Sequence, residues 1–170
     1  MIICLFKDFV AHKSFFKMSF FGVLFFNKSF HLLLLYRATR FMAGLRIFRF
    51  LVTPIRYFSS VFTNCDVSPY AEIGTGLILQ HPFSVIISGG TVIGSNVVIY
   101  HNVTIGKRYR EKQKNHPPRI GDNVTIYCNS SIFGNVYIGA NTIVGAHSLV
   151  LDSFPSDSII FGSPARLFQK

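Results

Sequence analysis

The chain has 170 residues, 49% of them hydrophobic, and a formal charge of +10. That apolar fraction excludes a disordered chain and suits one domain with an appendage. Cys4, Cys65 and Cys128 are too widely spaced for a disulfide framework or a metal pattern, which points to a reducing compartment.

Charge and aromatic content are uneven along the chain. Residues 1–65 hold nine Lys/Arg against one acid and 14 of the 19 phenylalanines, whereas residues 66–170 hold eight basic residues against six acids. Residues 1–62 are therefore expected to be a basic, Phe-rich helical region ahead of a nearly neutral domain. No uninterrupted apolar run approaches the ~18 residues of a membrane span. The start reads poorly as a signal peptide, because Lys7, Asp8, Lys13 and Lys17 interrupt it. The expectation is a cytoplasmic protein.

Residues 1–28 read as one or two short helices. Residues 30–52 read as a longer one, with Ser29 as N-cap and Pro54 forcing a stop. Arg37 and Arg40, then Arg46 and Arg49, make basic ridges beside apolar rows. Two readings stand: a helix lying on an anionic membrane surface, at the inner face of the plasma membrane, or an apolar face packed on the following domain or a neighbouring subunit with solvated arginines. The charge alone also raises nucleic acid, but no recognition motif supports it. Ser59–Asn64 is a polar junction without periodicity.

From Val67 a different period sets in. Ile73 and Leu79, then Ile87, Ile93, Ile99 and Ile105, then Ile120, Ile126, Ile132, Ile138, Val144 and Val150 recur every six residues. A period of six fits neither a helix nor a simple strand. It fits a hexapeptide-repeat parallel β-helix, in which each hexad forms one flat side of a coil. Asn96, Asn102, Asn123, Asn129, Asn135 and Asn141 stand three residues after the aliphatic, where a tight corner needs a left-handed backbone that asparagine tolerates. The β-helix is expected over residues 63–154, followed by a C-terminal tail, 155–170. Two irregularities stand out. The phase slips by two after Leu79, at His81-Pro82, and the basic stretch Lys107–Pro117 breaks the series. That stretch cannot fill an apolar interior and must loop out, and long loops on rigid scaffolds tend to be functional.

His81 and His101 stand two after the interior aliphatic, outside the core. Allowing for the slip, they differ by one full coil and should stack about one strand spacing (~4.8 Å) apart. Asp66, 15 residues before His81, can reach the same neighbourhood. A carboxylate that fixes an imidazole's tautomer is the arrangement a general base needs. His116 sits at the end of the excursion, and His147 fills a corner slot as a structural residue. No third ligand accompanies His81 and His101, so no metal is expected.

These residues carry a resemblance. Asp66–Lys170 resembles the hexapeptide-repeat acyltransferases with a left-handed β-helix, in the serine acetyltransferase branch. It does so through the spacing of Asp66 and His81, the run IGTGLILQH from Ile73, VTIG from Val103, HPPRIG from His116 and GSPAR from Gly162. Within that branch the short helical start and the sequence IYHNVTIG from Ile99 look more like the colanic-acid and capsular-polysaccharide O-acetyltransferases. The resemblance implies a homotrimer with sites between adjacent β-helices and acetyl-CoA as donor. His81 matches the base and Asp66 its orienting carboxylate. His116 falls one residue before the slot of a second active-site histidine, which Pro117 occupies. Tyr127, Cys128, Gly145 and Ala146 match positions whose backbone groups hold the pantetheine arm, with Pro164 and Arg166 near the nucleotide end. Lys107 and Arg108 are assigned to the CoA phosphates on charge alone.

Two departures bear on the acceptor, whose contacts are assigned to Gln80 and His101. Serine acetyltransferases carry an aspartate immediately before the base and an arginine before the loop histidine. Here these are the neutral Gln80 and Asn115, which leave an amino-acid zwitterion poorly paired. The expectation is therefore an O-acetyltransferase acting on a saccharide of capsule, exopolysaccharide or O-antigen by direct transfer in a ternary complex. Serine O-acetyltransferase is the alternative. A non-catalytic scaffold and a metal-dependent hydratase or hydrolase are the readings from other classes.

Overall fold

The computed structural model describes residues 2–108 and 116–168. The β portion is a three-sided parallel coil. Face A stacks β1 (Asp66–Val67), β4 (Ile86–Ile87), β7 (Thr104–Gly106), β10 (Ser131–Phe133) and β13 (Leu149–Val150). Face B stacks β2 (Glu72–Ile73), β5 (Val92–Ile93), β8 (Arg119–Ile120) and β11 (Tyr137–Ile138). Face C stacks β3 (Ile78–Gln80), β6 (Val98–Tyr100), β9 (Thr125–Ile126), β12 (Ile143–Val144) and β14 (Ile159–Gly162), with β15 (Ala165–Leu167) folded back antiparallel on β14.

The hexad rule holds in detail. Each interior aliphatic from Ile87 to Val150 is buried, because alternate residues of every short strand point inward and three faces enclose them. Asn96, Asn102, Asn123, Asn129 and Asn141 have φ between 55° and 60°, and His147 joins them at 58°. Their side chains form ladders up the coil, from Asn102 to Asn129 to His147 and from Asn123 to Asn141 to Asp157. Asn135 departs from the expectation. Its corner is turned by Gly134 at φ 90°, and Asn135 is exposed without a left-handed backbone. The coil also runs past residue 154, since β14 pairs in parallel with β12 and buries Ile160. The stretch expected to be a tail supplies the last rung and its cover.

The helical region comprises α1 (Ile2–Phe16), α2 (Phe20–Phe26), α3 (Lys28–Gly44) and α4 (Arg49–Thr63). Asn27 rather than Ser29 caps α3, accepting from the Phe30 N–H at 2.9 Å. Ser29 is buried instead, its Oγ taken by the Leu79 N–H and the His12 ring. The break falls at Gly44–Leu45, a single 3-10 turn follows, and Pro54 lies inside α4. The ring removes the N–H that would otherwise bond to Phe50 O, yet the helix continues to Thr63.

α3 closes the open end of the coil. An end rung presents unpaired carbonyls, and here they are met by long polar side chains. Tyr36 donates to Ala71 O at 2.8 Å, Arg37 to Ile73 O at 2.7 Å and to Gly74 O, and Arg40 to Ala71 O and Pro69 O. Arg37 also holds the buried Asp8 of α1 at 3.0 Å, and Asp8 accepts from the Gly76 N–H at 2.7 Å. Leu32, Leu33 and Tyr36 join the β-helix interior in one core. The apolar face of this helix thus packs on the β domain; Arg37 is buried rather than solvated, whereas Arg40 stays exposed while its guanidinium reaches the end-rung carbonyls.

Candidate active site

The two-residue slip in the first coil is what sets His81 apart. Partners Asp66 and Ile86 are 20 residues apart in sequence, whereas Ile86 and Thr104 are 18 apart, the length of three hexads. In the regular coils one left-handed residue turns the corner between faces C and A and bonds to the coil below. In the first coil Ser84 takes that duty, with φ 54° and its N–H on Asn64 O. The extra residues leave His81 with a left-handed corner of its own, at φ 52°, and an exposed ring. Pro82 beside it is buried and holds the detour against the body.

Register then defines what surrounds His81. Gln80 pairs with Tyr100, and Ile99 with Ile126, so Gln80, Tyr100, Tyr127 and Gly145 make one outward column up face C. By the same register His81, His101, Cys128 and Ala146 follow one residue on, along the corner. His81 and His101 thus follow paired residues one coil apart, with His81 alone of the two in a left-handed backbone. Tyr100 and Tyr127 stack with ring centroids 4.9 Å apart. Gln80 Nε2 lies 3.3 Å from His81 Nε2, and among the described residues it is the sole hydrogen-bond partner of that ring. Two buried polar atoms at this edge, Gln80 Oε1 and His101 Nδ1, meet no partner among the described residues.

The carboxylate expected to orient His81 is engaged elsewhere. Asp66 lies on face A, paired with Ile86, and accepts two 2.7 Å hydrogen bonds from Arg56 of α4. Those bonds hold the Arg56 guanidinium above its usual range. Thr53, Arg56, Tyr57, Ser60 and Asp66 line an open cavity of about 330 Å³. Sequence reasoning missed Arg56, and only its position ten residues before Asp66, midway along the helix that leads back to the coil, could have suggested it.

His116 does not join His81 within one chain. It emerges at the corner between faces A and B, in a cavity of about 260 Å³ with Gly90, Pro117 and Asn135. Lys107 and Arg108 leave β7 at that same corner, Arg108 lying against Gly134. Residues 109–115 of the excursion, Asn115 among them, lie outside the described residues.

Of the expected donor-binding positions, Tyr127, Cys128, Gly145 and Ala146 do share one edge with His81. Arg166, opposite Phe161, and Pro164 in the turn between β14 and β15 extend face C beyond them. Gly145 departs from the expected role. Its N–H bonds to Ile160 O and its carbonyl accepts from both Ser130 and Ser148, so its backbone groups are taken. What it supplies is space: a Cβ there would come 2.9 Å from the Cβ of Phe161.

Among the described residues, no three histidine, cysteine or carboxylate side chains cluster as a metal site. Outside this edge, His31 Nε2 donates to Leu24 O of α2, 2.7 Å away. His12 is buried between Asp8 O and Ser29 Oγ, and burial pushes its pKa down. Burial likewise pushes the Cys65 thiol up.

Comparison with known proteins shows the class to which this coil of hexads belongs. The family described as bacterial transferase hexapeptide (six repeats) matches residues 117–152. A serine acetyltransferase of Staphylococcus epidermidis is 41% identical over 116 residues, covering 68% of this chain and 54% of that protein. One from Staphylococcus aureus is 40% identical over the same length. Among solved structures, the serine acetyltransferase of Neisseria gonorrhoeae superimposes with a TM-score of 0.88 at 30% identity, covering 98% of this chain and 64% of that one. The soybean apoenzyme gives 0.89 at 31% identity, covering 97% and 67%. The chain belongs to the hexapeptide-repeat acyltransferases with a left-handed β-helix. It spans about half the length of the Staphylococcus relatives. These relatives are serine acetyltransferases, not the polysaccharide O-acetyltransferases that the form of the sequence suggested.

Proposed function

We propose that the protein is an acetyl-CoA-dependent O-acetyltransferase in which His81 is the general base. The observation that carries this reading is the displaced corner, which takes His81 out of the structural ladder and exposes it beside a continuous edge of small and aromatic residues. A similar serine acetyltransferase has been solved with CoA, and the Tyr127–Ala146 edge is the surface along which the donor would lie.

The imidazole removes the proton of an acceptor hydroxyl as its oxygen attacks the thioester carbonyl. The tetrahedral intermediate then expels the CoA thiolate, which takes the proton from the imidazolium. Gln80 holds the ring by a 3.3 Å contact long enough for an incoming hydroxyl to replace. Asp66 reaches His81 only after parting from Arg56. His116, on another corner, acts at the same centre only as a residue of a second β-helix, which accords with the expected homotrimer.

The relatives favour L-serine as acceptor, and soybean and Neisseria enzymes have been solved with serine. A saccharide hydroxyl is the second reading. Gln80 offers no charge for an ammonium group, which suits the neutral hydroxyls of a sugar. Thiol release from acetyl-CoA, measured with L-serine and with a panel of capsule-type oligosaccharides, decides between them. Turnover on serine alone establishes the first, and turnover on a saccharide alone the second. No turnover on any acceptor, with no binding of acetyl-CoA, removes the enzyme reading and leaves a scaffold.

A further inference from the structure

The outer edge of the helical region is built unlike the rest of the surface. α1 and α2 meet at 103°, and no single described helix is long and apolar enough to cross a membrane. α2 reads FFGVLFF, and of its seven residues Val23 alone is buried. Phe21, Phe25 and Phe26 are exposed at 68%, 61% and 82%, with Phe20 and Leu24 beside them. Phe20 packs on Phe9 of α1 at 5.0 Å between ring centroids. On α1, Ile3, Phe6 and Val10 are exposed as well, on one side of the helix by their spacing, with Phe6 and Val10 bordering a groove shared with Thr75, Gly76 and Asn96. A soluble surface rarely leaves so many large apolar side chains exposed within two short helices.

The charges around this face have one sign. Lys7, Lys13, Lys17 and Lys28 are all exposed. Asp8, the single acid of the first 65 residues, is wholly buried and neutralised by Arg37. The exposed surface of α1 and α2 therefore carries cations and no carboxylate.

We infer that the face formed by α1 and α2 docks on the surface of an anionic lipid bilayer. Its rings enter the boundary between headgroups and acyl chains while the lysines meet the lipid phosphates. Charge complementarity selects this occupant. A second copy meeting the same face would bring four lysines against four with no acid to pair them. The docking is reversible, since a short aromatic helix with a few lysines gives modest affinity.

Flotation of the whole protein with lipid vesicles tests this. Vesicles of phosphatidylcholine with about a third phosphatidylglycerol are expected to carry most of the protein at about 0.1 M NaCl, and pure phosphatidylcholine vesicles little of it. Raising the salt to about 0.5 M is expected to release it. The triple variant Phe21→Ser, Phe25→Ser, Phe26→Ser and the double variant Lys13→Glu, Lys17→Glu should each lower the floating fraction by roughly tenfold. Their thermal melts should stay unchanged, because all five side chains are exposed. Wild-type protein remaining in the load zone with anionic vesicles, or both variants floating like wild type, overturns the inference. So does a triple variant that sediments as a smaller assembly while wild-type flotation stays low, which would give the face to a second copy.

Discussion

In the β-helix the residue needed at each position follows from its neighbours six places away, whereas in the helical region it is set by partners 29 to 68 places distant, as with Asp8, Arg37 and Gly76. The first kind of order is redundant: every coil repeats the same aliphatic interior, and no one rung is indispensable. The second rests on single contacts. A buried carboxylate, the arginine that neutralises it and a buried histidine hold α1 and α3 on the first coil. Local periodicity thus builds the platform, while a few long-range polar contacts fix what covers its end.

Substitutions sharpen that contrast. The largest loss is expected from Arg37→Ala, which strips the buried Asp8 of its partner and frees two end-rung carbonyls. A cost of about 3–5 kcal/mol should appear as a lower midpoint in urea denaturation. Ile126→Ala leaves a cavity in a closely packed interior and is expected to cost about 2–4 kcal/mol by the same measurement. If it costs as much as Arg37→Ala at every coil tested, the redundancy argued above is wrong.

A smaller effect should follow pH. Burial lowers the pKa of His12 below that of the unfolded chain, so the unfolded state binds more protons in the window between the two values. Stability is then full above about pH 6.5 and falls as pH drops below it. Melting temperature compared at neutral and mildly acid pH should show this fall, and His12→Gln should flatten it. Smallest is Asn129→Ala, which keeps the fold but places an alanine at φ 60°. The expected loss is about 1–2 kcal/mol, with Asn129→Gly recovering most of it.

The same contrast explains what could be read without coordinates. The interior positions and most of the asparagine corners follow from counting in sixes. The helix ends do not, because Ser29 is claimed by a strand 50 residues away and α4 continues through Pro54. Asp66 was placed near His81 by spacing, but spacing says nothing of Arg56, which reaches it from another element. His116 belongs with His81 by chemistry, yet the two stand at different corners and in different coils. Counting also stopped too early at the C-terminus, since the shortened coil before Ile160 keeps the geometry of the repeat but not its period.

The central claim is that His81 is the base, and thiol release from acetyl-CoA by His81→Ala tests it most directly. With an acceptor that the wild type uses, the variant is expected to lose at least about a hundredfold in kcat while binding acetyl-CoA as before. Turnover persisting near the wild-type rate would contradict it and move the base to another group on the same edge, with His101 the first to examine.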